Sequence, residues 1–276
     1  MVGGTIMSAA KQCALIVVPA WRRPYASGML WHEIWVGILS NIASLVVVGA
    51  PASAWYLVVR RRRLAFFGLR DTSRVVIYAS RLYVPSGASL GPDGRRRTFQ
   101  GIATPDYEST VIASIQGFFA GLARFWRRTG LRWGDIDVQS LVSPASKEGI
   151  DREATLITIG SPGYNVVSRM VEEDLGTLVR FANDNRDLAT PDGTLVGDAA
   201  CCFVQRITSR TTGQVVFYVA GPAAEGTTAA VHYLRREWRQ LAKRYRRGQS
   251  FYEVLRLTGA ERYVVIHRLA ASSHDG

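Results

Sequence analysis

The chain has 276 residues, with 34 Lys and Arg against 22 Asp and Glu, a net charge of +12. Hydrophobic residues make up 47% and charged residues 20%, an ordinary globular balance, and the basic excess favours an anionic partner: the cytoplasmic leaflet, a nucleotide or nucleic acid. Three cysteines without a CxxC and four scattered histidines exclude a disulfide framework and a zinc site, so no metal and no cofactor is expected.

Residues 1–28 do not read as a domain: one short apolar patch, Ala14 to Ala20, ends at Trp21-Arg22-Arg23-Pro24. Met29 is an alternative start to Met1, because from there the chain enters an apolar run directly. That run, Ile34 to Val59, has 26 residues without a charge. A bilayer core of about 30 Å needs roughly 20 mostly apolar residues in a helix. Trp31, Trp35, Trp55 and Tyr56 sit near its ends, where amphipathic rings favour the headgroup layer. Arg60 to Arg63 follow as a basic collar. Residues 29–63 are therefore expected to form one transmembrane helix, with a buried core helix as the alternative. Arg60 to Arg63 and Arg70 outweigh Arg22 and Arg23, which places the C-terminal domain on the cytoplasmic side of a single-pass membrane protein. With no charge inside the membrane the helix offers no transport path; it reads as a tether in the lipid bilayer or as a homo-oligomer contact.

About 210 residues remain, enough for one domain with a sizeable core. Arg74 to Ser80 is a short β-branched run, the first strand. A polar loop with Pro85, Gly87, Gly91, Pro92 and Gly94 follows. Apolar residues at helical spacing from Val111 to Trp126 predict a helix over 106–127, started by Thr104-Pro105-Asp106 and stopped by Gly130. Ile136 to Val142 and Ala154 to Ile159 read as strands, and a helix is expected from Tyr164 to Phe181. A turn-rich segment, Asn183 to Gly197, precedes a hairpin of Cys202 to Thr208 with Gln214 to Ala220. A long helix, Thr227 to Arg247, buries Ala230, Tyr233, Leu234, Trp238, Leu241 and Tyr245 and turns its arginines outward. Trp238 and Tyr245 lie at core spacing rather than as stacking platforms, so nucleic acid is not the expected partner. Two alternating runs, Phe251 to Leu257 and Tyr263 to Leu269, suggest a closing hairpin. Recurring strand-then-helix units argue for an α/β fold over 71–276: a Rossmann-like, mostly parallel α/β sandwich behind the single transmembrane helix.

In such sheets ligands bind beyond the carboxyl ends of the strands. Ser80-Arg81 ends the first strand. Gly160-Ser161-Pro162-Gly163-Tyr164-Asn165 ends a later one, with Arg169 in the next helical turn. Ala220-Gly221-Pro222 ends another, and Glu225-Gly226-Thr227-Thr228 opens the long helix. Small residues at these junctions let a ligand approach backbone N–H groups at helix N-termini. Ser80, Ser161, Asn165, Gly221, Thr227 and Thr228 offer neutral contacts, and Arg81 or Arg169 pairs with a phosphate or carboxylate. The plainer reading is that strand-to-helix turns need these residues for turning and capping alone. No P-loop, GxGxxG or GxSxG motif is present. Glu108, in the first turn of the helix after the long loop, is the one catalytic candidate: it could hold a ribose hydroxyl or act in N-glycosidic cleavage, or simply favour the helix dipole.

The pair G-S-P-G-Y-N at Gly160 to Asn165 and A-G-x-x-x-E-G-T-T-A-A at Ala220 to Ala230 resembles Rossmann-like ligand-sensing modules attached to an N-terminal membrane helix in bacterial conflict and signalling systems. The resemblance implies a nucleotide-derived ligand where these loops meet and carries no catalytic residue with it. The leading expectation is thus a membrane-anchored sensor for a small anionic, nucleotide-like molecule. A nucleotide hydrolase or N-glycosidase using Glu108, and a membrane scaffold without ligand, are the alternatives.

Overall fold

The structure, a computed structural model, describes residues 35–40, 54–55, 57–69, 74–90, 96–127, 136–209, 211–259 and 262–270. The chain divides between Trp55 and Tyr56. In the first unit residues 35–40 and 54–55 are helical, and Trp35, Val36, Leu39 and Trp55 each expose more than half of their surface. Among the described residues no helix is long and apolar enough to cross a membrane. Most of the predicted span (29–34, 41–53 and Tyr56) lies outside the described residues, as does segment 1–28.

The second unit is built on a seven-stranded sheet. Its strands are β1 (Arg74–Ala79), β4 (Asp137–Val142), β5 (Thr155–Ile159), β9 (Cys201–Thr208), β10 (Val215–Ala220), β11 (Phe251–Gly259) and β12 (Arg262–Ala270), in the order β12-β11-β9-β10-β5-β1-β4. The pairings β4-β1, β1-β5 and β5-β10 are parallel; β10-β9, β9-β11 and β11-β12 are antiparallel. Five of the seven strands therefore point the same way, and the fold is α/β with a mostly parallel sheet. Every residue of β5 and β10 is buried, as expected of central strands covered on both faces.

Alternation along the strands feeds two cores. Val75, Ile77, Ile157, Val204, Phe217 and Phe251 pack under α2 (Asp106–Arg127) and α4 (Ala224–Arg244). Val76, Tyr78, Leu156, Phe203, Val216 and Tyr218 pack under α3 (Val166–Asp174) and a small sheet on the opposite face. All six apolar residues expected on the buried face of the long helix are buried.

Three expectations are corrected. The helix expected over 164–181 ends at Asp174. Gly176 takes a positive φ of 67°, and the Glu172 carboxylate accepts the Phe181 N–H, so the chain turns into β6 (Arg180–Ala182). The turn-rich segment contains β7 (Asp187–Ala189) and β8 (Leu195–Val196), which form a three-stranded sheet with β6. The polar loop after β1 is a hairpin of β2 (Leu82–Leu90) and β3 (Arg96–Ala103).

The second unit opens with a helix, α1, at residues 57–66. Gly68, at φ 69°, ends it, and the Leu69 N–H reaches back to the Leu64 carbonyl as in a Schellman cap. Its last turn is core: Phe67 meets the rings of Phe118, Phe119 and Phe217. The four-arginine run divides accordingly. Arg60 is 4% exposed, and the Arg63 guanidinium lies over the rings of Phe118 and Trp238, 4.2 and 4.9 Å from their centroids. Arg61 and Arg62 face solvent. Only half of the expected basic collar is therefore available to a membrane surface.

Candidate ligand-binding site at the carboxyl edge of the sheet

The loops after β1, β5 and β10 leave adjacent parallel strands at one edge, so the three junctions singled out in the sequence do share that edge. At its centre the Glu108 carboxylate accepts three bonds: from the Ser80 N–H at 2.6 Å, the Ser80 hydroxyl at 2.7 Å and the Tyr107 hydroxyl at 3.2 Å. Glu108 is 0% exposed. It fastens the first turn of α2 to the end of β1. Gly160 is required beside it: its φ is 91°, and a Cβ there would sit 2.5 Å from Ser80 Oγ and 2.9 Å from Glu108 Oε1.

Burial holds the Glu108 carboxyl above its ordinary range, against the lowering effect of the Ser80 and Tyr107 bonds. The folded chain therefore binds this proton more tightly than the unfolded chain. Its contribution to stability is complete below the unfolded value of about 4.3 and is lost as pH rises towards the higher folded value. Glu108→Gln removes this dependence. Relative to wild type, its unfolding midpoint should gain as pH rises from about 4 and then level off; parallel pH profiles for the two proteins would contradict the assignment.

Asn165 and Thr227 have their side chains turned to the backbone. The Asn165 amide donates to the carbonyls of Tyr78 and Ile159 and its oxygen accepts from Val167 and Ser168, while the Val166 N–H reaches Ser143 Oγ. The N-terminus of α3 is thus fully capped. Thr227 Oγ1 accepts the Gly221 N–H, and Gly221 lies against Gly226, where a Cβ would come 2.9 Å from its carbonyl carbon. These are the capping and turning roles of the plainer reading. Ser161 is partly buried, and its carbonyl accepts from Tyr164 and Asn165.

The remaining candidates flank two openings. On the α3 side, a hollow of about 250 Å³ is lined by Arg81, Pro144, Gly163, Tyr164, Asn165 and Arg169; Arg169 donates to the Pro162 carbonyl. On the α4 side, a cleft of about 400 Å³ opens where the tips of α2, α4 and the β11–β12 hairpin meet. Ala224, Ala229, Leu257, Tyr107 and Tyr263 give it apolar and aromatic walls, and Glu225, Thr228, His232, Arg235, Arg236 and Arg262 its polar groups. Arg235 is held by Ser114 Oγ at 2.7 Å and Arg236 lies 3.3 Å from Glu237. Among the described residues the side chains of Thr228, His232 and Arg262 make no protein bond. Tyr107 spans both features: its hydroxyl binds Glu108 and its ring lines the cleft. Burial and the Glu108 charge raise its pKa, so it stays a neutral donor. The first turn of α4 has no side-chain cap, which leaves its N–H groups to other partners.

Of the residues singled out in the sequence, only Thr228 lines this cleft. Arg235 and Arg236 read as part of a solvated helix face, and Arg262 and Tyr263 come from a strand distant in sequence. Among the described residues no cluster of His, Cys, Asp or Glu could hold a metal ion. Comparison of the chain with protein-family models, with curated proteins and with solved structures returns no match.

Proposed function

We propose that the protein is a membrane-tethered binding module whose α4-side cleft takes a small, anionic, nucleotide-like ligand. The cleft itself carries the reading. Tyr107 and Tyr263 offer aromatic surface to a planar base, Arg262 and Arg236 offer planar cationic forks to a phosphate, and Thr228 and Glu225 offer hydrogen bonds to sugar hydroxyls. The uncapped first turn of α4 adds a favourable field for the anion. The tether rests on the uncharged run from Ile34 to Val59 and on the exposed side chains of Trp35, Val36, Leu39 and Trp55, the amphipathic and apolar surface that lipid would cover. Glu108 is enclosed by Ser80, Tyr107 and Gly160, so a catalytic role for it draws no support from the geometry.

The test is a thermal-shift screen of the full chain in detergent against nucleoside mono-, di- and triphosphates and their cyclic forms. At least one should raise the melting temperature in a saturable way. Product formation from that compound, abolished by Glu108→Gln, would favour the hydrolytic alternative. No shift with any compound would favour a scaffold.

A further inference from the structure

The end of the second unit opposite the cleft carries a different surface. The last turn of α1 lies at the amino edge of the parallel strands: the Phe67 carbonyl accepts from Thr155 Oγ1 at the start of β5, and Gly68 lies against Val215 at the start of β10. The loop joining α4 to β11 lies beside it. One guanidinium, that of Arg206, donates to the carbonyls of Phe66, Arg246 and Gln249. Among the described residues around this junction the exposed charges have one sign: Arg61 and Arg62 from α1, Lys243 from the last turn of α4, and Arg246 and Arg247 from the loop. Acidic groups at the same edge, Asp137, Asp151 and Glu153, belong to β4 and the chain before β5, where Asp151 is already paired with Arg74 at 2.7 Å. The cationic half is thus the half from which α1 leads back along the chain into the apolar run.

We propose that this amino-edge surface, Arg61, Arg62, Lys243, Arg246 and Arg247, docks on the anionic headgroups of the leaflet next to the tether and holds the cleft facing away from the membrane. The inference rests on the tether reading. Clustered Lys and Arg beside a span are attracted to acidic lipid over about a Debye length of roughly 10 Å, and among the described residues these side chains pair with no acidic group. Because the last turn of α1 is packed into the core of the second unit, docking of this face would orient that unit against the leaflet.

The experiment uses the full chain reconstituted into nanodiscs of phosphatidylcholine alone or with added phosphatidylserine, read by amide hydrogen exchange. Slower exchange at 243–249 only in the discs containing phosphatidylserine, relieved by high salt and absent in the triple variant Lys243→Glu, Arg246→Glu, Arg247→Glu, is the expected result. That variant changes only exposed side chains and should melt with the wild type. Equal exchange in the two lipids would overturn the docking surface alone. Flotation with phosphatidylcholine vesicles separates the two readings: a chain that floats there but shows no lipid-dependent exchange keeps its tether and loses the docked face, whereas a chain that floats with neither lipid loses both.

Discussion

Arg206→Met should destabilise the second unit by about 4 kcal/mol, the largest single-residue effect expected away from the cleft. Arg206 is 1% exposed, and burial lowers its pKa to about 10, so it remains charged at neutral pH. Among the described residues it has no carboxylate partner; its donors go to the carbonyls of Phe66, Arg246 and Gln249, and its guanidinium lies 5.2 and 5.0 Å from the ring centroids of Phe66 and Phe251. Methionine keeps most of the volume and supplies no donor. Three carbonyls then lose their partner together, each at a cost of roughly 1–3 kcal/mol where water cannot replace it. Exchanging a buried ion for an apolar group can be neutral when its partners are exchanged too, but here they are backbone and stay. At about 2–4 °C per kcal/mol for a unit of this size, the melting temperature should fall by roughly 8–16 °C. A fall within a degree or two would mean that Arg206 does not tie α1 to the α4–β11 loop.

Gly160→Ala should cost about 2–4 kcal/mol and should also impair the cleft. Two penalties coincide. The φ of 91° disfavours any side chain, and the added methyl meets Ser80 Oγ and Glu108 Oε1 closer than van der Waals contact. Relief requires the Ser80–Glu108 pair to open. Glu108 also receives the Tyr107 hydroxyl, and Tyr107 forms a wall of the cleft, so the displacement reaches that wall. Stability and nucleotide-induced thermal shift should therefore fall together. Gly248→Ala is the control: its φ of 73° carries similar backbone strain with open space around the methyl, so it should lose stability alone.

The elements with strong periodicity were legible in the sequence. The β-branched runs at β1, β5 and β10 and the 3.6-residue pattern of α2 and α4 encode both their type and their buried faces, because the same apolar side chains set the period and fill the core. What was not legible depends on tertiary partners. The strands β6 to β8 are only two or three residues long, too short for alternation to register, and are held by Gln205, whose side chain bonds the backbone of Leu178 and Val179. The helix expected to continue to Phe181 stops because Glu172 captures that residue's N–H from outside its own ladder. Gly160, Asn165 and Thr227 marked the carboxyl edge of the sheet, where the proposed cleft opens, since tight turns and caps occur where strands meet helices. The cleft beside them draws on Tyr107, His232, Arg262 and Tyr263, which lie on three elements and form no motif along the chain. Arg60 and Arg63 illustrate the same limit: their charge suggested solvent or headgroups, yet the i, i+3 spacing places both on the buried side of α1.

The central claim is that the anion binds in the α4-side cleft and not in the α3-side hollow, where Arg81 lies. Calorimetric titration of the nucleotide with the largest thermal shift into wild type, Arg262→Glu and Arg81→Glu separates the two. The cleft assignment predicts that Arg262→Glu weakens binding at least about 30-fold, roughly 2 kcal/mol, while Arg81→Glu changes the affinity by less than about 2-fold. Loss of binding in Arg81→Glu with wild-type affinity in Arg262→Glu would contradict it.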